Sequence, residues 1–330
     1  LLTEKKKFQS KNKKQLNSQS FSCCNFCRNK YTTFGQSHNM KLAIVGCTGL
    51  VGNEVLNVLS ELSVPITELI LVASKKNIGK KVAFKTEKIT IVGIQEAIDQ
   101  IPEIAIFCAG SKVSKKWAQI FVDSGTSVID NSSFFRMEEN IPLVVPEVNG
   151  AVLKKSNKII ANPNCSTIQM VVALNDIYKK FGLKRLVIST YQSVSGTGQA
   201  AVKQMMDERQ GLKPQRVYPY QIDQNCFPHG GDFLENGYTT EELKLIDETR
   251  KIFNDSSIKI TATVVRIPVV GGHSESINVE THKPFQIEEI KKTFSDTAGV
   301  KVQDNPSKFD YPMPITAHRK NDVFVGRIRK

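Results

Sequence analysis

The sequence has no run of about 18 apolar residues, the minimum for a membrane-spanning helix, so no membrane partner is expected of its 330 residues. Acids are scarce at one end. Residues 1–39 hold Glu4 alone against eight lysines and arginines, so about half of the net charge of +13 sits in that stretch and the rest is only mildly basic. No recognised nucleic-acid motif accompanies the charge, which argues against a DNA- or RNA-binding face. A modest cationic excess suits small phosphorylated, anionic ligands instead. Regular cysteine spacing is missing too. The seven cysteines (Cys23, Cys24, Cys27, Cys47, Cys108, Cys165 and Cys226) are odd in number, which points to reduced thiols rather than a disulfide framework. Cys23, Cys24 and Cys27 with His38 match no common zinc spacing, and no metal is expected. No internal repeat is evident.

Residues 1–39 are rich in Ser, Asn, Gln and Lys and poor in large aliphatics. They bury too little apolar surface to offset ordering, which predicts a disordered basic leader. Such a leader also fits a transit peptide to the plastid stroma; without that role the expected compartment is the cytoplasm. The chain opens on Leu1 rather than Met, as a fragment does, and Met40 stands where a mature domain would begin.

From Met40 the pattern turns regular. Leu42–Gly46 is a short apolar run ending in glycine, followed by Val55, Leu56, Leu59 and Leu62 at helical spacing. Leu69–Ser74, Ala105–Gly110 and Ser127–Ser132 repeat the buried-strand pattern, with Trp117, Ile120 and Phe121 on a helix between the last two. Alternating short strands and helices predict a Rossmann-like, doubly wound parallel sheet over residues 40–165. After a helix from Ser166, long alternating strands are expected at Leu186–Val194, Ile258–Val269 and Ser276–His282. They predict an α+β domain over residues 166–330, catalytic and dimerising, with a mostly antiparallel sheet.

Gly46-Cys-Thr-Gly49-Leu-Val-Gly52 joins the first strand to the first helix. Glycines there let backbone N–H groups approach a pyrophosphate at the helix N-terminus, where the dipole favours negative charge. The spacing departs from G-x-G-x-x-G, and a tight turn with close packing is the other explanation. The second strand ends in Ser74-Lys75-Lys76 with no acid for a ribose hydroxyl, so NADP is favoured over NAD.

Asn162-Pro163-Asn164-Cys165-Ser166-Thr167 precedes a helix, and Cys165 falls at its start, where the positive dipole end should stabilise a thiolate. Gln192-Ser-Val-Ser195-Gly196-Thr-Gly198 and Arg266-Ile-Pro-Val-Val-Gly-Gly272-His273 end two later strands. His273, after two glycines, is expected to be exposed on a loop and able to shuttle protons. A cysteine, a histidine and a nicotinamide site together make thioester redox chemistry possible.

GCTGLVG, NSSFFRM, LVVPEVN, NPNCSTIQ, YQSVSGTG, NGYTTEELK, RIPVVGGHSESI and VFVGRIR occur here in the order found in aspartate-semialdehyde dehydrogenases, and from Met40 to Lys330 the chain resembles that family. The resemblance implies reduction of L-aspartyl 4-phosphate by NADPH to L-aspartate 4-semialdehyde and phosphate, on the route to lysine, methionine and threonine, by a homodimer. It implies Cys165 as nucleophile, His273 as acid and base, Gln192 orienting the acyl group and Asn164 helping to hold the oxyanion. Arg266 would clamp the substrate carboxylate, Glu241 its ammonium group, and Arg136 and Lys244 the phosphate. For Glu241 and Lys244 an i,i+3 surface ion pair is the other explanation. Gly46, Thr48, Gly49, Leu50, Val51 and Gly52 would hold the cofactor, with Ser74 and Lys76 at its 2′-phosphate and Ser195 and Gly196 also beside it.

Two departures stand out. Lys76 occupies the place of the usual arginine, which keeps the charge and loses the planar fork. The chain also stops at Lys330, whereas relatives continue for a strand and a helix that returns to the cofactor, so a truncated C-terminus is expected. N-acetylglutamyl-phosphate reductase is the nearest alternative family, but it carries Gly-Cys-Tyr where this chain has Asn164-Cys165-Ser166. A phosphorylating glyceraldehyde-3-phosphate dehydrogenase would carry Ser before its Cys. A non-catalytic NADP-binding scaffold is the alternative of another class.

Overall fold

The computed structural model describes residues 40–62 and 64–330; the leader, with Cys23, Cys24, Cys27 and His38, lies outside the described residues. Seven strands, Met40–Val45 (β1), Ile66–Val72 (β2), Lys81–Phe84 (β3), Glu87–Val92 (β4), Ile104–Phe107 (β5), Ser127–Asp130 (β6) and Ile159–Ala161 (β7), form one sheet in the order β3-β4-β2-β1-β5-β6-β7. All its pairs are parallel except the β3–β4 hairpin at one edge. The chain leaves β1 toward β2 and later returns to β5 on the other side. The crevice beyond the carboxyl ends of β1 and β5 is therefore the topological switch point where such sheets bind ligands. Leu42–Val45 of β1 and Leu69–Val72 of β2 are buried on both faces, which is why they read as unbroken apolar runs.

The helices beside this sheet are Leu50–Glu61 (α1), Ile94–Asp99 (α2), Ser111–Asp123 (α3) and the single turn Pro146–Asn149 (α4). Cys165–Phe181 (α5) leaves β7 and is buried along most of its length, from Ser166 and Thr167 through Met170–Asn175 to Ile177 and Phe181. A helix apolar on several sides must be covered on several sides. α5 shares one hydrophobic core with the parallel sheet (Ala43, Phe107, Val128) and with a second sheet (Leu186, Ile188, Val264).

That second sheet has the order β10-β8-β9, from Arg185–Gln192 (β8), Lys259–Arg266 (β9) and Ser274–Glu280 (β10). β10 is antiparallel to β8, as expected, whereas β9 runs parallel to it. The reason is the connection between them. β8 reaches β9 through Gln199–Arg209 (α6) and Thr240–Phe253 (α7), and a helical crossover returns the chain in the same direction. The last part adds Ile287–Asp296 (α8), the parallel pair Val300–Val302 (β11) and Val323–Val325 (β12), and the short turn Pro314–Ala317 (α9).

Candidate active site

Cys165 is the first residue of α5, set there by Asn164, whose Oδ1 accepts the Ser166 N–H at 2.9 Å. The asparagine oxygen is thus engaged as a helix cap, and it is the side-chain amide N–H groups that could serve an oxyanion. The Asn164 N–H in turn donates to Glu248 Oε2 at 2.6 Å. Cys47 and Cys108 are packed into the fold, and burial pushes both thiols up to about 11. Cys165, by contrast, is exposed at the mouth of the cleft. Burial of the sulfur, then the charge of Glu241, raises its pKa from the ordinary thiol value. The Ser166 N–H, Arg136 and Arg266 pull the other way and do not prevail. Burial and Glu241 thus oppose the dipole-stabilised thiolate expected at the helix start.

Arg266 ends β9 almost completely buried. Its Nη2 lies 3.5 Å from Glu241 Oε2, and its Nη1 donates to the Ser193 carbonyl at 3.0 Å. The Ser193 N–H donates to His273 Nδ1, also at 3.0 Å. One residue, immediately after β8, therefore holds the arginine by its C=O and the imidazole by its N–H. With Nδ1 accepting that bond the neutral ring carries its proton on Nε2; with Nδ1–H given instead to Ser193 Oγ, 3.2 Å away, Nε2 is open to take a proton. His273 is half-buried rather than exposed, because Gly271 and Gly272 bring the turn against α9: a Cβ at Gly272 (φ +84) would stand 2.7 Å from the Pro314 carbonyl oxygen. Burial, then Arg266, lowers the His273 pKa below 6.5, against smaller opposite effects of Glu241 and Glu275. A Cβ at Gly196 would come within 3.2 Å of His273 and 3.3 Å of Arg266, so glycine lets the turn after β8 close over both.

Gln192, the last residue of β8, donates from Nε2 to Ser166 Oγ at 3.1 Å, and its buried Oε1 has no partner among the described residues. Arg136 is buried, with Nη1 on Glu248 Oε1 and Nη2 on the Asn131 carbonyl, both at 2.9 Å. α7 supplies one face of the site. Thr239 and Glu242 close a capping box at its start. Glu241 turns to Arg266, so the surface pair with Lys244 does not form; Lys244 is half-buried, with no ion pair among the described residues. Glu248 and Lys251 are functional positions that reading along the sequence missed. Glu248 joins Arg136 to the turn before Cys165, and Lys251 Nζ donates to the carbonyls of Arg136, Glu138 and Ile141. The signal was present, since 241, 244, 248 and 251 recur at i, i+3, i+7 and i+10 on a helix. The other described histidines pack rather than react: His229 stacks on Phe233, His282 lies against Gly182 and His318 against Gly271.

At the switch point, Gly46 has φ +96, and a Cβ there would stand 2.8 Å from the Cys108 carbonyl carbon. A Cβ at Gly52 would collide with the Gly46 carbonyl oxygen. α1 starts on Gly49 with no side-chain cap and no acid in its first turn, so its N–H groups are left for an anion. Ser74, Lys75 and Lys76 are exposed after β2, and Asn77 Nδ2 reaches Thr48 Oγ1 at 3.4 Å. The chemistry of this donor set, bare N–H groups for a diphosphate and a hydroxyl with cations for a further phosphate, fits NADP. Ser195 and Gly196, beside His273, lie on the turn after β8, at the reacting end.

With this geometry in view, two family models match the chain: the NAD binding domain of semialdehyde dehydrogenases over residues 41–156 and their dimerisation domain over 174–330. The chain is 48% identical over 299 residues to aspartate-semialdehyde dehydrogenase of Aquifex aeolicus (strain VF5), covering 88% of each. It belongs to the aspartate-semialdehyde dehydrogenase family. The relative from Bacillus subtilis (strain 168) is 46% identical over 307 residues, again with 88% of each chain covered. The crystal structure of aspartate semialdehyde dehydrogenase II from Vibrio cholerae superposes with a TM-score of 0.84 at 42% identity, over 88% of this chain and 89% of that one. This member of the family is therefore an oxidoreductase of amino-acid biosynthesis with a nicotinamide-dinucleotide domain, as the sequence motifs led us to expect. Among the described residues no helix is long and apolar enough to cross a membrane, and no cluster of three metal-ligating side chains occurs.

Proposed function

We propose that this chain reduces L-aspartyl 4-phosphate to L-aspartate 4-semialdehyde and phosphate through a thioester on Cys165, with His273 handling the proton. The observation that carries the assignment of roles is the double hold of Ser193, which fixes the Arg266 guanidinium and the His273 ring relative to each other. Arg266 takes the substrate carboxylate and Glu241 its ammonium group. That ammonium neutralises the carboxylate that raises the Cys165 pKa, so substrate binding favours the thiolate. Arg136, with Lys244 one turn along α7 from Glu241, takes the phosphate; Glu248 and the Asn131 carbonyl hold its guanidinium plane in place. Nε2 of His273, open in the tautomer whose Nδ1–H bonds Ser193 Oγ, takes the thiol proton as sulfur attacks the acyl carbon and phosphate departs. NADPH, held by Gly46–Gly52 with Ser74, Lys76, Ser195 and Gly196, supplies the hydride to the thioester carbon. Gln192 and Asn164 orient the carbonyl while its oxygen bears negative charge. As the aldehyde leaves, the imidazolium returns that proton from Nε2 to sulfur.

A second crystal structure of the Vibrio cholerae enzyme is of its complex with ASA, and one of the Candida albicans enzyme, 25% identical with a TM-score of 0.67, is with NADP; both support this substrate and cofactor. The working form is a homodimer. Its support is the dimerisation-domain match and the outer face of the second sheet, where Tyr191, Thr263, Ser276 and Asn278 are exposed in the single chain. We divide the chain functionally at residues 165 and 166, cofactor domain before and catalytic domain after, and place the enzyme in the cytoplasm. The test is the reverse reaction: L-aspartate 4-semialdehyde, phosphate and NADP should yield NADPH absorbance. Cys165→Ala should lower the rate at least about a thousandfold with NADPH affinity intact. Retained turnover in Cys165→Ala sinks the mechanism, and faster turnover of N-acetylglutamate semialdehyde sinks the substrate assignment.

A further inference from the structure

Glu275 belongs to none of the roles above. It lies near the start of β10, two residues after His273, opposite Thr190 of β8 and one register row behind Gln192 and Arg266 on the face that packs on α5. Gln169, one turn of α5 beyond Cys165, donates to its Oε1 at 2.6 Å. Its Oε2 is buried and has no hydrogen-bond partner among the described residues. A carboxylate with a buried, unpaired oxygen is costly, whereas the neutral acid is tolerated. The groups facing it are the Cys165 thiol and Gln169 from α5, His273 from the turn before β10, and Thr190 from β8.

We propose that Glu275 is a positioning residue for the Cys165–His273 pair: as a neutral acid it ties α5 to β10 through Gln169 and keeps negative charge away from the sulfur while the thiolate forms. The proposal rests on the assignment of Cys165 as nucleophile and His273 as proton carrier. Burial, with Cys165 adding to it, holds the Glu275 carboxyl up at about 8, against the opposing effects of Gln169 and His273. Through neutral pH the group is uncharged. As pH rises through that value it ionises, and the new anion disfavours the thiolate beside it, since two interacting sites shift each other equally.

Glu275→Gln keeps the shape and an oxygen for the Gln169 amide but cannot ionise. We expect kcat at pH 7 within about threefold of wild type, and an alkaline limb of kcat/KM displaced to higher pH. Alkylation of Cys165 by iodoacetamide, followed on its own peptide by mass spectrometry, should be several-fold faster than wild type at pH 9. Glu275→Ala should lower kcat about tenfold or more with KM nearly unchanged. If that variant melts out, Gln169→Leu cuts the same tie from the helix and should show the same split. An alkylation profile in Glu275→Gln that coincides with wild type, or a kcat as low as that of Glu275→Ala, overturns the proposal. Alkylation reads the thiol without turnover, so this failure is distinct from the failure signalled by an active Cys165→Ala.

Discussion

The parallel sheet ends two of its strands in turns that open helices, and the two turns use the same physics differently. β1 runs through Gly46–Gly49 into α1, and β7 runs through Asn162–Asn164 into α5. At α1 the cap is a glycine, no side chain satisfies the first N–H groups, and the helix end is a bare anion site. At α5 the cap is an asparagine that takes the Ser166 N–H, and Glu248 takes the Asn164 N–H. The dipole there has been spent on protein groups, and burial, then Glu241, pushes the pKa of the sulfur up. A helix N-terminus is thus a donor array whose use is decided by what else the fold brings to it.

Three substitutions test that contrast. Glu248→Ala should have the largest effect, because it leaves Arg136 buried without its carboxylate and frees the Asn164 N–H. A loss of about 3 kcal/mol in stability is expected. kcat/KM should fall about a hundredfold, with NADPH affinity measured by fluorescence titration nearly unchanged; an equal loss at both sites would mean the turns are not independent. Gly46→Ala should come next. The new Cβ meets the β5 backbone at a positive φ, so a cost of about 2 kcal/mol and a weakening of NADPH binding by about tenfold or more are expected. Cys165 alkylation should stay at the wild-type rate. Asn164→Ala should be the mildest in stability, about 1 kcal/mol for a lost cap by thermal melting. It should still lower kcat, because Cys165 then enters the helix unfixed. A kcat equal to wild type would show that the cap serves the helix alone.

Much of this was legible in the chain. The glycine loop and the NPNC turn are local, and their roles follow from a strand before and a helix after. The exposed place of Ser74 and Lys76 was readable for the same reason, since they stand at the end of a recognisable strand. Glu248 and Lys251 were not, although their spacing from Glu241 marks one helix face, because a charged helix face ordinarily meets solvent and nothing local tells which face turns inward. Glu275 was hidden by its position in an alternating strand, where parity gives the face and not what covers it.

The sequence by itself determined the order of elements, the glycine loop, the place of Cys165 at a helix start and the family to which the chain belongs, since each rests on neighbours along the backbone. Tertiary structure alone decided the charge state of the site. The pKa of Cys165 depends on burial and then on Glu241, 76 positions away, that of His273 on burial and then on Arg266, and the reach of Arg136 on Glu248. Burial and charge act through space, so groups brought from β8, β9, β10, α5 and α7 set together what no one segment encodes.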